Sequence, residues 1–201
     1  MKTCSLRLLL VALTGIIFAA EGRAQSVLFS DDFQKADPAW GTTPFVIIGG
    51  GKMTLTAEPS KGQNELNQSG IFQNCTITAT FKITAGDDQS SIGIAFWAKD
   101  YNDFYTLECF SNGQFAVYRK AAERWLTPVA ARDSADIKKG VGQSNELQVV
   151  IKDNEATLLI NGKEQVRFKG QPPEGGGLVG FRVGAGKTKA VGEVSDFKVT
   201  K

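Results

Sequence analysis

The chain has 201 residues, with 23 basic and 21 acidic side chains, three cysteines and no histidine. Without imidazole it can build neither a Ser-His-Asp triad nor a His-ligated zinc site. Its net charge of +2 arises from Lys2, Arg7, Arg23 and Glu21 in the first 24 residues, and the neutral remainder offers no electrostatic footprint to nucleic acid.

Residues 1–24 read as an export signal. Lys2 and Arg7 precede the apolar stretch Leu8–Ala20, and Gly22-Arg23-Ala24 places small residues at the cleavage-determining positions. The mature chain then begins at Gln25, and residues 25–201 fit a single domain in the periplasm or outside the cell. No segment reaches the roughly 20 apolar residues of a membrane-spanning helix.

Val27–Phe33 reads as a first edge strand and Gln34–Pro44 as a loop carrying Trp40. Phe45–Ile48 and Lys52–Ala57 flank the turn Gly49-Gly50-Gly51. Polar Glu58–Asn67, with Pro59 and Gly62, reads as a surface loop, and Gly70–Thr84 as one long strand. From Ser91 to Phe168 short runs of alternating apolar and polar residues recur between turns built on Asn, Gly or Asp. Such period-2 runs are antiparallel strands with one buried face. Ser134–Gly142 can hold one helical turn capped by Ser134. Asn161-Gly162 predicts a two-residue type I′ hairpin. Leu178–Val183 and Val191–Val199 close the domain, giving about twelve strands and two packed antiparallel sheets.

Once the signal and its Cys4 are removed, Cys75 and Cys109 are the remaining thiols, and both fall on inward positions. If strands 75–83, 92–98 and 104–110 form a meander, the two lie about 10 Å apart, beyond disulfide reach. They then read as buried free thiols. Gly184-Ala-Gly-Lys-Thr188 lacks the first glycine of a phosphate loop and reads as a turn.

Strand parity points Ile92, Ile94 and Phe96 into the core and Gly93, Ala95 and Trp97 away from it. Thr106, Glu108, Ala116, Tyr118 and Lys120 share that outward parity, with Trp125 shortly after. Trp97, Glu108, Tyr118 and Trp125, with Arg119 or Lys120 at the edge, make a candidate ligand face on which a sugar ring would stack. A one-residue change of register exchanges the two faces and would place these aromatics under loops or in the sheet interface. Glu108 is the sole carboxylate inside a central strand, and it is the residue a glycoside-processing hydrolase would use.

Ile92–Phe96, Asp100-Tyr-Asn-Asp-Phe-Tyr-Thr-Leu-Glu108, Asn112–Arg119, Asn145–Val149, Leu158–Lys163 and Gly180–Val183, in that order, resemble the concanavalin A-like jelly roll in its laminin-G-like bacterial form. That group includes domains labelled 3-keto-disaccharide hydrolases. The resemblance implies two curved antiparallel sheets and carbohydrate bound on the concave face or at a loop edge. Glycosidase members carry a Glu-x-Asp-x-x-Glu or Glu-x-Asp-x-Glu strand, whereas the strand here reads Leu107-Glu-Cys-Phe-Ser111, so catalysis is not carried over. Relatives commonly hold a structural calcium between the first and last strands, which implies Asp32 and Asp196 as its ligands. Alternatively, Phe33 and Phe197 plug the core while the aspartates are solvated edge charges. The reading is thus an exported, cofactor-free, lectin-like module for a glycan, with a hydrolase or a protein-interaction domain as alternatives.

Overall fold

The computed structural model describes residues 25–41 and 43–201, so the segment read as an export signal lies outside the described residues. Alternation becomes fourteen strands: β1 (Val27–Asp31), β2 (Val46–Gly49), β3 (Lys52–Ala57), β4 (Gly62–Phe72), β5 (Thr76–Ala85), β6 (Ser91–Asp100), β7 (Asp103–Phe110), β8 (Gln114–Ala121), β9 (Arg124–Asp133), β10 (Ser144–Lys152), β11 (Glu155–Ile160), β12 (Lys163–Lys169), β13 (Gly177–Gly184) and β14 (Ala190–Thr200). They form two antiparallel sheets, one ordered β12-β11-β10-β5-β14-β3-β2 with β1 also paired to β14, the other β4-β13-β6-β7-β8-β9. The two sheets pack face to face in the sandwich of a jelly roll.

The core lies between the inward rows. Ile77, Ala79 and Phe81 of β5, Leu147 and Val149 of β10, and Leu158 and Ile160 of β11 face Ile94 and Phe96 of β6, Leu107 of β7, Val117 of β8 and Phe181 of β13. Each such large side chain contributes roughly 1.5–3 kcal/mol by leaving water. Phe33, Trp40, Phe181 and Phe197 form an aromatic knot, with Trp40 on Phe181 at 5.2 Å and Phe181 edge-on to Phe197 at 4.9 Å. Asp31 ties the incoming chain to it, accepting 2.7 Å hydrogen bonds from Phe33 N–H and Trp40 Nε1–H.

Several expectations change. The polar stretch 58–67 is a loop only at its start, because edge strand β4 begins at Gly62. Glu65 is buried there and accepts through Oε1 alone, from Gly41 N–H at 2.8 Å and from the Tyr101 hydroxyl at 3.4 Å, while its Oε2 and the Asn67 side-chain amide nitrogen have no hydrogen-bond partner. Burial still pushes the Glu65 carboxyl up. The expected long strand 70–84 breaks at 73–75, where Asn74 takes φ 49° and the chain crosses from one sheet to the other. Strands 75–83 and 92–98 therefore do not pair, so the meander that separated the thiols is absent. Cys75 and Cys109 are nevertheless free and buried, and burial pushes both thiols up to about 12. Ser134–Gly142 forms turns instead of a helical turn, with Ser134 Oγ accepting from Asp136 N–H at 3.2 Å.

Trp97 is the largest correction. It adopts φ 48°, and the β6–β7 register shifts between Phe96 and Asp100. This bulge turns Trp97 inward beside Phe96, so it is 2% exposed instead of facing outward. Its ring meets Phe96 and Tyr105, each at 5.3 Å, and Phe168 at 6.2 Å. Trp97 therefore plugs one end of the core.

The Asn161-Gly162 hairpin forms as read, with φ of 50° and 76° and Ile160 paired to Lys163. Asn161 also ties neighbouring turns together, accepting from Glu146 N–H at 2.9 Å and donating to Asp136 O at 2.7 Å and Asn145 Oδ1 at 2.8 Å.

Two outcomes follow for urea unfolding. Trp97→Ala destabilises the fold by about 3–5 kcal/mol through loss of a packed ring, and a change below about 1 kcal/mol contradicts its place in the core. Asn161→Ala destabilises by about 2 kcal/mol, combining left-handed strain with lost hydrogen bonds.

Candidate functional site

The outer face of the six-stranded sheet is built from rows that cross it in register. One row runs Asn64–Arg182–Gly93–Glu108–Ala116 through β4, β13, β6, β7 and β8. A second runs Leu66–Gly180–Ala95–Thr106–Tyr118 and a third Gly62–Gly184–Ser91–Phe110. Residues of the first and third rows, with Tyr118 and Trp125, line an open trough of about 650 Å³ in which Gly62, Ser91 and Gly184 leave the space. At Gly93 and Gly180 the surrounding backbone leaves no room for any side chain, since an added Cβ would stand 1.7 Å from Leu107 O and 2.1 Å from Glu65 O respectively.

Glu108 and Arg182 occupy the trough floor. Arg182 Nε donates to Glu108 Oε1 at 2.8 Å, and the side chains are 14% and 4% exposed. Ser91 Oγ donates to the second Glu108 oxygen, and Arg182 Nη1 donates to Asn64 Oδ1 at 3.0 Å. A mostly buried ion pair needs such extra hydrogen bonds to offset its desolvation. Gly62 admits the guanidinium, because a Cβ there would lie 2.2 Å from Nη2.

Aromatic rings form one wall. The Arg182 guanidinium carbon lies 4.7 Å from the centroid of Trp125, a cation–π arrangement. Trp125 meets Tyr118 at 6.4 Å and Phe104 at 5.7 Å, both nearly perpendicular, while remaining 46% exposed. Burial, and then the negative charge of Glu108, push the Tyr118 phenol up against the pull of Arg182, so the hydroxyl stays protonated as a donor. Lys120 stands at the rim, donating to Asn102 Oδ1 at 2.9 Å and Tyr101 O at 3.3 Å.

Of the residues singled out from sequence, Glu108, Tyr118 and Trp125 come together here, with Lys120. Trp97 does not, because its bulge carries it to the core. Arg119 also lies elsewhere: it follows the parity of Tyr105, its guanidinium carbon 5.1 Å from that ring, and it bonds Gln171 and pairs with Asp103 at 3.8 Å. Sequence reasoning missed Arg182, Ser91 and Asn64. Parity along Phe181-Arg182-Val183 points Arg182 outward, but its proximity to Glu108 depends on β13 lying beside β6, which no local pattern specifies.

Asp32 and Asp196 line a separate concavity with Asp31 and Lys198. Asp31 is already engaged by Phe33 N–H and Trp40, Asp32 accepts from Gln34 N–H at 3.0 Å, and Asp196 accepts from the Ser195 hydroxyl at 3.0 Å. Among the described residues no three His, Cys, Asp or Glu side chains stand close enough to hold a metal ion. Asp32 and Asp196 thus share one concavity, the carboxylate of each engaged by a neighbouring donor. Phe33 and Phe197 are buried.

Among the described residues no helix is long and apolar enough to cross a membrane. No curated protein matches the sequence. Solved structures with the same fold include a carbohydrate-binding module, CBM66, from Bacillus subtilis, 12% identical, covering 81% of this chain and 91% of that one with a TM-score of 0.62. A Bacillus licheniformis β-glucanase is 11% identical over 86% of this chain and 97% of its own, with a TM-score of 0.65. A Bacteroides ovatus GH16 protein of a mixed-linkage glucan locus, solved with a product, is 13% identical over 86% and 100%, also at 0.65. At these identities the likeness is one of fold. The sequence itself carries the closer relationship, since a family model described as a 3-keto-alpha-glucoside-1,2-lyase-like domain matches residues 28–192, and the chain belongs to that family.

Proposed function

We propose that the protein recognises a saccharide in the trough of its six-stranded sheet, with Trp125 and Tyr118 as the stacking wall and Arg182, Ser91 and Asn64 as polar contacts. The observation that carries the reading is the half-exposed Trp125 standing over an ordered hydrogen-bonding floor. A sugar ring presents an apolar C–H face and polar hydroxyls, and the trough offers both surfaces side by side. Glu108 is the sole carboxylate among the described residues lining the trough. The two-carboxylate arrangement of glycoside hydrolysis therefore gives no support to a hydrolase here, and recognition without hydrolysis is the stronger reading. Residues 1–24, read as a signal, would deliver this face to the periplasm or beyond the cell.

A second reading follows from the family. In a 3-keto-glucoside the ketone acidifies the C2–H bond, so removal of that proton with departure of the C1 substituent needs only one base. Glu108 is the carboxylate at hand, although Arg182 and Ser91 engage both of its oxygens.

Calorimetry of residues 25–201 against a panel of oligosaccharides tests the first reading. Trp125→Ala and Tyr118→Ala each weaken binding about three- to tenfold, the loss of one aromatic contact, and unchanged affinity in both overturns the placement. The second is tested by incubation with an aryl 3-keto-α-glucoside. Release of the aryl alcohol by the wild-type protein and its loss in Glu108→Gln would make the trough an active site, whereas no release leaves recognition alone.

A further inference from the structure

We infer, on the reading that the trough holds a saccharide, that its ligand is anionic: a sugar bearing a carboxylate or a sulfate. The chain without residues 1–24 is neutral, yet the trough lining is not. It carries Lys61, Lys120 and Arg182 against the single carboxylate of Glu108. Arg182 and Glu108 neutralise one another, which leaves two ammonium groups in excess. Among the described residues neither Lys61 nor Lys120 has a carboxylate partner, as is true of most lysines in the chain, but these two line the same trough. Lys120 is met only by neutral oxygens, those of Tyr101 and Asn102.

The two lysines stand on opposite sides of the trough. Lys61 precedes β4 at one edge of the sheet, its carbonyl bonded to Ala185 N–H, and Lys120 sits on β8 near the other. Between them Arg182 is held rigidly by Glu108, Asn64 and the Trp125 ring. Hydrogen bonds to Glu108 and Asn64 occupy two of its N–H groups, and a guanidinium has five. An immobilised guanidinium with spare donors, flanked by unpaired ammonium groups, suits the planar or tetrahedral oxygens of a charged sugar substituent. A neutral sugar would bring neither lysine a counter-charge.

The test compares matched pairs on the full mature chain: oligogalacturonate against its methyl ester, and sulfated against unsulfated dextran. The anionic member binds about tenfold more tightly at low salt, and the gap narrows as sodium chloride rises. Lys61→Gln and Lys120→Gln each weaken binding of the anionic member about three- to fivefold and weaken the neutral member by less. Lys163→Gln, an exposed position on the opposite sheet, changes neither. A response confined to one pair identifies carboxylate or sulfate as the recognised group. Equal binding of charged and neutral members, or an equal loss in Lys163→Gln, overturns the inference while leaving saccharide recognition standing. Failure of every member to bind overturns both.

Discussion

The two faces of the six-stranded sheet differ in side-chain size, and the site depends on that difference. Inward positions carry Ile94, Phe96, Leu107, Val117 and Phe181, while the outward positions beside them carry Gly93, Ala95, Ala116, Gly180 and Gly184. Bulk on one face and its absence on the other let the sheet close over a hollow instead of filling it. At Gly93 and Gly180 the neighbouring strands come so close that even a methyl group is excluded. The same packing that buries the core thus opens the trough.

Within that hollow the Glu108–Arg182 pair imposes order at an energetic cost. Ion pairs removed from water are on average poor stabilisers, and apolar substitutes of similar shape often do as well or better. Here the pair is supported from both ends, by Ser91 on the carboxylate and by Asn64 and Trp125 on the guanidinium. The residues involved come from β4, β13, β6, β7 and β9. A polar floor joined in this way holds its donors in one geometry before any ligand arrives, which lowers the ordering cost of binding.

The sandwich was legible because it rests on local signals. Alternation fixed the inward rows of β5, β6, β7, β10 and β11, and Asn161-Gly162 fixed a hairpin through its demand for positive φ. The same parity placed Glu108, Tyr118 and Lys120 on one face. What failed was any feature in which tertiary context overrides alternation. β4 was hidden because its polar residues look like loop until Gly41 and Tyr101 supply partners. Arg119 was misplaced because residues 119 and 120 face opposite sides and either could be argued from charge alone. Arg182 was overlooked because its partner lies 74 positions away in sequence.

Trp97 shows how one irregularity redistributes aromatic surface. Strict alternation would set its indole on the outer face of the sheet, in line with Gly93 and Ala95. The left-handed bulge instead sends the ring into the end of the core and leaves Ala98 in the outward cluster with Leu66, Ala95 and Phe104. The aromatic surface then comes from Trp125, on edge strand β9, which stands as a wall above a floor of small and polar groups. A floor-mounted indole would offer a flat platform with no depth. A wall over a polar floor lets one ring be stacked and hydrogen-bonded at once, and it leaves the trough long enough for Lys61 and Lys120 to address a ligand from either side.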